Sequence, residues 1–158
     1  MAPSVGLRQD WQGLRTYIVL VLRSLLLAHP HLMPLLCFEN AVGRLFAHPE
    51  GYAVLRYHAG PRSLLDFHDF LLHTGRLLQR RRWHKMLSDQ RQLAPYTENE
   101  QALLLDYWQA RHFTHGRTIS AVLLAADVAT HCAFTQAWEE AQHSVPYRLF
   151  DDEAQAAA

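Results

Sequence analysis

An aspartate and an arginine stand two positions apart in a stretch that reads as the end of a β-strand. Asp89 and Arg91 lie in the sequence WHKMLSDQR, and a segment with helical spacing follows from Thr97. Open α/β sheets bind ligands at the carboxyl ends of their strands, so Asp89 could offer an anionic contact and Arg91 could bind a carboxylate or phosphate bidentately. Asp89 could instead bond the loop backbone and pair with Arg91 or Lys85. The residue types alone are compatible with a binding site and with a structural loop.

The neighbourhood of this pair supplies further candidate contacts. His84 directly precedes the strand, Thr97 and Glu98 begin the helix after it, and Trp108 lies further along that helix. The TENE stretch has the form of a capping box, in which the threonine and the second glutamate bond each other's backbone N–H groups. That cap explains Thr97 without a further role, and an aromatic residue at helical spacing either packs in the core or lines an apolar pocket. The predicted binding contacts are His84, Asp89, Arg91, Thr97, Glu98 and Trp108.

The remaining residues do not complete a catalytic or metal-binding set. The chain has 11 histidines, and His112 and His115 have i, i+3 spacing, but no cysteine or carboxylate completes a tetrahedral set at a recognisable spacing. His68 and His73 are five positions apart in one predicted helix and therefore project from different faces. The sequence contains neither a Gly-x-Ser-x-Gly nucleophile motif nor a glycine loop of the phosphate-cradling type. We expect no catalysis, no metal and no cofactor.

The composition is typical of one globular domain without net charge. The 158 residues include 15 basic and 15 acidic side chains, and 49% are hydrophobic. A chain of this length buries roughly two-thirds of its unfolded surface in one core. The basic run Arg80–Lys85 is better explained by a helix end, where cations complement the dipole, than by nucleic acid. Cys37 and Cys132 lie in apolar runs, which favours buried, reduced thiols and a cytoplasmic location over the alternative of a single disulfide.

Residues 1–33 are predicted to be an extension outside the domain. The apolar run Tyr17–Ala28 imitates a secretory signal, but Arg23 interrupts it and no small-x-small cleavage pattern follows. A membrane span would need about 20 consecutive apolar residues, so we expect no stable membrane insertion. Met33 stands just ahead of the regular part of the sequence, and the preceding residues read as an upstream stretch or a loosely attached amphipathic helix. The folded domain is predicted to span residues 34–158.

Alternating strands and helices are predicted to position the candidate residues. Val42–His48 and Tyr52–His58 form a hairpin around a Pro-Glu-Gly turn, with the odd-numbered residues of the second strand on one face. The later elements are a helix from Ser63 to about Arg82, a strand over Lys85–Ser88, a helix from Thr97 to about Arg111, a buried strand over Ile119–Ala125, a helix from Asp127 to about Gln142, a strand over Tyr147–Phe150 and a short helix capped by Asp151 and Asp152. The order ββαβαβαβα predicts an α/β fold with a mixed sheet and helices packed on it.

Four stretches together point to a known family: GYAVLRYHAG, WHKMLSDQR, the TENE run ahead of a helix with a tryptophan, and YRLFDDEAQA. Through them, the segment from about Leu36 to Ala157 resembles the STAS-like bacterial proteins. These are small domains related in fold to anti-sigma factor antagonists and, more loosely, to CRAL-TRIO-like lipid-binding domains. Antagonists of the phosphoswitch type carry an Asp-Ser-Ser-Gly-like turn with a phosphorylated serine where this chain has Thr97–Glu100, and that serine is missing here. Thr97 could accept a phosphate, but the phosphate would meet like charge from Glu98 and Glu100. The resemblance implies a non-enzymatic binding or regulatory module.

We therefore expect a regulatory module that binds a protein partner. The alternative is a module that binds a small apolar molecule or lipid in a pocket between helices and sheet. A pocket of ligand size would favour the small-molecule function, whereas an exposed apolar patch beside the Thr97 helix would favour the protein partner. Nucleic acid is not an expected partner, because the chain has no net positive charge to attract phosphates.

Overall fold

The computed structural model describes residues 33–124 and 145–157 of the chain. The chain divides into two compact units, Met1–Met33 and Pro34–Ala158, and the fold below is that of the second unit. The predictions for residues 1–32, for Cys132 and for a helix from Asp127 to about Gln142 lie outside the described residues. Independent folding of residues 34–158 stays a prediction.

The described residues form a mixed α/β structure around one sheet. Its strands are β1 (Leu35–Glu39), β2 (Gly43–His48), β3 (Tyr52–Tyr57), β4 (Lys85–Asp89), β5 (Ile119–Leu123) and β6 (Tyr147–Phe150), and the helices are α1 (Leu64–Arg81), α2 (Glu98–His115) and α3 (Glu153–Ala157). The strands lie in the order β1-β2-β3-β4-β5-β6, antiparallel from β1 to β3 and parallel from β3 to β6. The predicted α/β class with a mixed sheet is confirmed.

The two long helices begin at caps that can be read from the sequence. The Ser63 hydroxyl accepts a hydrogen bond from the Asp66 backbone N–H at 3.0 Å, and Thr97 and Glu100 form the predicted capping box. One face of α1 then packs on the sheet through residues that recur at helical spacing: Phe67, Phe70, Leu71, Thr74, Leu77 and Leu78. Both helices follow the carboxyl ends of strands, so their N-termini lie at one edge of the sheet.

Alternation along the strands separates two apolar clusters on the two faces of the sheet. Ala53, Leu55 and Tyr57 of β3 join the larger cluster with α1 and α2, on the face that the sequence predicted. The smaller cluster on the second face contains Val54, Leu87 and Leu123, packed by Phe46, Tyr52, Ala121, Phe150 and Ala156. Through Ala156, α3 covers part of this second face.

Three details of the sequence prediction are wrong. Leu35–Glu39 forms an additional strand, β1, paired antiparallel with β2, and its mostly exposed residues lack the apolar alternation that would have marked it. Cys37 lies on this edge strand and is exposed, not buried. The helix α2 continues beyond Arg111 to His115, because Gly116 ends it with a bond from its N–H to the His112 carbonyl.

Candidate functional site

Strands β3 and β4 end side by side at one edge of the sheet, where Arg56 pairs with Asp89 in their register. α1 and α2 begin at the same edge, after Ser63 and Thr97. Strand ends and helix N-termini present polar groups there, and α/β sheets commonly bind ligands at this edge. The structure places the candidate residues Asp89 and Arg91 at this carboxyl edge.

Asp89 and Arg91 form a bidentate ion pair. Arg91 Nε donates to Asp89 Oδ1 at 2.8 Å, Nη2 donates to Oδ2 at 2.7 Å, and the Arg91 backbone N–H donates to Oδ1 at 3.3 Å. Burial on its own would raise the pKa of Asp89, but the hydrogen bonds and charge of Arg91 outweigh burial and lower that pKa. Asp89 is therefore a carboxylate at neutral pH, and the pair braces the loop after β4.

Neighbouring charges extend the Asp89–Arg91 pair along the edge. Glu153 of α3 accepts a hydrogen bond from Arg56 Nη2 at 3.0 Å and lies 3.9 Å from Arg91 Nη2. On β2, Arg44 donates to Glu39 at 2.7 Å. These four side chains outside the first pair are 42% to 53% exposed, so each ion pair contributes about 1 kcal/mol or less to stability. Their main effect is to hold the guanidinium groups in place.

A pocket of about 440 Å³ opens among these charges. We call it the strand-end pocket, and its wall includes Arg44, Phe46, Arg56, His58, Asp89 and Arg91. Three guanidinium groups and an imidazole share this wall with one carboxylate. An anionic group that enters the pocket could therefore accept hydrogen bonds from these guanidinium groups, in place of the carboxylates that accept them now.

A buried ion pair at the same edge was missed by the sequence prediction. Arg62 Nε and Nη2 donate to the two Glu100 oxygens at 2.7 and 2.8 Å, and the side chains are only 6% and 5% exposed. Arg62 also donates to the Ala94 and Pro95 carbonyls at 3.1 and 3.3 Å. Glu100 accepts from the Thr97 backbone N–H at 2.8 Å. The pair thus ties the loop before α1 to the first turn of α2.

The hydroxyl groups of Tyr57 and Tyr96 complete the polar interior of this edge. The Tyr57 hydroxyl lies against Tyr96 and Ser88, and the Arg62 guanidinium lies 5.7 Å from the centroid of the Tyr96 ring. Gln90 Nε2 donates to Ser88 Oγ at 3.0 Å. Burial raises the pKa of Tyr57 to about 12 and also raises the pKa of Tyr96. Both phenols therefore keep their protons at neutral pH.

The other predicted contacts do not line the strand-end pocket. Thr97 caps α2 and Glu98 is exposed in its first turn, so both lie at the carboxyl edge but outside the pocket wall. His84 is exposed and precedes β4 at the opposite end, roughly 16 Å from Asp89 at about 3.3 Å per residue. Trp108 is 2% exposed and packs in the larger apolar cluster.

Some of the site residues missed by the sequence prediction could have been found from the sequence, and others could not. Alternation in β3 already placed Arg56 and His58 on the face away from the larger cluster, and this could have identified them as pocket residues. Arg62 offered no such signal, because its partner Glu100 lies 38 positions further along the chain.

A more apolar pocket of about 500 Å³ lies on the second face of the sheet, beside α3. We call it the sheet-face pocket, and its apolar wall includes Tyr52, Leu87, Ile119, Ala121, Phe150 and Ala156. Lys85 and Arg148 also line it. The sheet-face pocket has the size of a small-ligand site.

Within residues 33–124 and 145–157, no three His, Cys, Asp or Glu side chains are grouped so that they could hold a metal ion. In the same described part of the chain, no helix is both long enough and apolar enough to cross a membrane. Comparison of the chain with known protein families, with curated proteins and with solved structures gave no match.

Proposed function

We propose that this protein is a non-enzymatic binding module that engages an acidic segment of a protein partner at the strand-end pocket. The observation that supports this proposal most directly is the grouping of Arg44, Arg56 and Arg91 around one pocket at the carboxyl edge. A guanidinium group binds a carboxylate with two parallel hydrogen bonds. An acidic partner could therefore replace Glu39 or Glu153 as the ligand of one of these arginines.

The protonation and hydrogen bonding of the carboxylates at this edge favour a binding function over a catalytic one. Asp89 has a lowered pKa and is held by two hydrogen bonds from the Arg91 side chain, so it is a weak base at neutral pH. Glu100 is enclosed by Arg62 and the Thr97 cap. Both of these carboxylates at the carboxyl edge thus already accept hydrogen bonds that hold the local structure together.

The sequence resemblance supports the same class of function. The stretches GYAVLRYHAG and WHKMLSDQR resemble STAS-like bacterial proteins, which are mostly binding or regulatory modules, and we propose the STAS-like pattern as the finer description of the fold. Cys37 is exposed as a free thiol, which fits a reducing compartment such as the cytoplasm.

The first test compares Arg91→Ala with Arg117→Ala. Arg117 lies in the exposed loop after α2, outside the strand-end pocket, and its loss changes the net charge equally. Arg91→Ala should reduce recovery of the partner from native lysate about tenfold, because it removes a bidentate contact. Its thermal midpoint should fall only modestly, since the Arg91 side chain is 45% exposed and Asp89 remains partly accessible to water. The measurements are quantitative mass spectrometry of captured proteins and a thermal melt of each variant.

Arg117→Ala should capture the same partner as the unaltered chain. Equal recovery with Arg91→Ala and Arg117→Ala would refute the proposed binding surface. A parallel loss of partner recovery and thermal stability in Arg91→Ala would instead assign the Asp89–Arg91 pair a purely structural role.

The sheet-face pocket favours a second candidate function, the binding of a small apolar molecule or lipid. Its volume of about 500 Å³ and its aromatic and aliphatic wall suit such a ligand. The same purified protein can be examined by native mass spectrometry for bound small molecules. A stoichiometric small-molecule adduct, without a captured protein that depends on Arg91, would favour this second function.

A further inference from the structure

Arg111, just before the last turn of α2, carries a buried positive charge without a counter-ion in the described part of the chain. The residue is 6% exposed. Its Nη1 donates to the Gly75 carbonyl at 3.2 Å, whereas its Nε is buried without an acceptor. No salt bridge joins Arg111 to an acidic side chain within residues 33–124 and 145–157. Burial lowers the pKa of Arg111, but a guanidinium group stays protonated at physiological pH.

Arg62 and Arg111 differ in how fully their hydrogen-bond donors are satisfied. Arg62 is buried to a similar degree, but both oxygens of Glu100 and two backbone carbonyls satisfy it. A buried charge that lacks such partners destabilises the fold, which is why buried charges in proteins are normally paired. Arg111 therefore has the property expected of a group that completes its bonds with a ligand.

The Arg111 side chain lines a pocket of about 330 Å³ between α1 and α2. We call it the interhelix pocket, and Arg76, Gln79, Tyr107 and His115 also line it. Burial raises the pKa of the Tyr107 hydroxyl, while the charges of Arg111 and Arg76 act in the opposite direction. Arg76, Tyr107 and Arg111 line the same pocket, so two positive charges and a phenol share its wall.

We propose that the interhelix pocket binds a phosphate group, either as free phosphate or as the monoester of a small molecule. Two guanidinium groups match the charge of a phosphate dianion better than that of a single carboxylate, and guanidinium donors fit phosphate oxygens bidentately. Leu72 and Ala110 add apolar surface to the pocket wall for the organic part of an ester. This site lies toward the C-termini of α1 and α2, so it is separate from the strand-end pocket and independent of the proposed function.

The test is isothermal titration of the full chain with inorganic phosphate and with phenyl phosphate, at constant ionic strength set by chloride. Saturable binding with a Kd of about 1 mM or tighter is expected for at least one probe. Arg111→Met replaces the guanidinium with apolar volume and should weaken phosphate binding at least about tenfold. Arg76→Ala alters an exposed side chain, and it should weaken binding by a similar factor.

Arg80→Ala is the matched control. Arg80 lies one helical turn beyond Arg76 on the exposed side of α1 and does not line the interhelix pocket. Arg80→Ala removes the same charge as Arg76→Ala. If the geometry of the pocket creates the site, and not net charge, Arg80→Ala should weaken phosphate binding by less than about twofold. Without phosphate, the thermal midpoint of Arg111→Met should be equal to or higher than that of the unaltered chain, because the variant removes a buried charge that has no counter-ion among the described residues.

The two probes distinguish the sources of the phosphate group. Tighter binding of phenyl phosphate supports a small-molecule monoester, whereas equal or tighter binding of inorganic phosphate supports free phosphate. Absence of saturable binding of either probe up to about 10 mM overturns the proposal. Equal losses in Arg76→Ala and Arg80→Ala also overturn it. Unchanged phosphate binding in Arg76→Ala, combined with a lowered midpoint in Arg111→Met, would make Arg111 a structural residue and likewise overturn the proposal.

Discussion

At the scale of single residues, burial decides how much an ion pair contributes to this fold. The Arg62 and Glu100 side chains are 6% and 5% exposed, whereas those of Arg44 and Glu39 are 53% and 42% exposed. The shortest N–O distance is 2.7 Å in both pairs. Distance alone would rank them equally, but the consequence of breaking each pair depends on whether water can solvate the partner that remains.

Arg62→Met should therefore lower the free energy of unfolding by about 3 to 5 kcal/mol, because Glu100 would remain as an uncompensated buried charge. Arg44→Met breaks the exposed pair with Glu39 and should cost about 1 kcal/mol or less. Urea denaturation of the two variants measures both quantities. Similar losses in the two variants would show that Glu100 becomes solvated when Arg62 is removed.

The Tyr57 phenol makes stability sensitive to alkaline pH. Burial raises its pKa from 10.0 to about 12, so between these values the unfolded chain has released a proton that the folded chain still holds. The unfolded state binds fewer protons there, and the stability that Tyr57 contributes falls as pH rises through this interval. Tyr57→Phe should reduce this alkaline loss by up to about 3 kcal/mol. Urea denaturation at a series of alkaline pH values measures the slopes, and identical slopes with and without the phenol would contradict the prediction.

At the scale of elements, the approach of α1 to α2 depends on a glycine. A Cβ atom built at Gly75 would overlap the Tyr107 hydroxyl of α2 and come within 3.0 Å of its ring carbon. The cost of glycine inside a helix, about 1 kcal/mol relative to alanine, is offset here because the small residue permits close packing. Gly75 therefore sets the distance between the helices that enclose the interhelix pocket.

Gly75→Ala tests this packing because helix propensity and packing predict opposite signs. Propensity alone would stabilise the variant, whereas overlap with Tyr107 should destabilise it by roughly 1 to 3 kcal/mol. Tyr107→Phe removes the overlapping oxygen, so the cost of Gly75→Ala should be smaller in that background. A double-mutant cycle by thermal or urea denaturation measures the coupling. A stabilising Gly75→Ala, or costs that add without coupling, would show that the helices can separate freely.

At the scale of the whole molecule, the described fold distributes polar groups unevenly around one sheet. The strand-end pocket lies at the carboxyl edge, the interhelix pocket lies toward the C-termini of α1 and α2, and the sheet-face pocket lies on the second face. The parallel strands β3 and β4 produce the first of these sites, because both end at one edge and both are followed by helices that begin there.

The predicted boundary at residue 33 can be tested on the same scale. A chain of residues 34–158 should keep a cooperative thermal transition within about 5 °C of the full chain if the extension lies outside the folded domain. Circular dichroism and calorimetry measure this transition. Loss of cooperativity in the shortened chain would show that the first 33 residues belong to the folded unit, and the domain prediction would then be wrong.

Local patterns in the sequence were sufficient to predict most of the described elements. Alternation identified β3, the Thr97 cap identified the start of α2, and Arg91 was one of the two partners, with Lys85, considered for Asp89. Each of these signals involves residues within a few positions of one another. The strand β1 was missed because an exposed edge strand has no buried face and therefore no alternation to read.

Only the tertiary structure decided which distant residues meet. Glu100 lies 38 positions from Arg62 and Glu153 lies 97 positions from Arg56, yet each pair is joined by a hydrogen bond. Nothing in the sequence around Arg111 indicates that it is buried between two helices, with no acidic partner in the described part of the chain. Local patterns specify where a strand or helix begins and ends, whereas burial and charge pairing depend on how those elements pack, which is set by contacts between residues far apart in the chain.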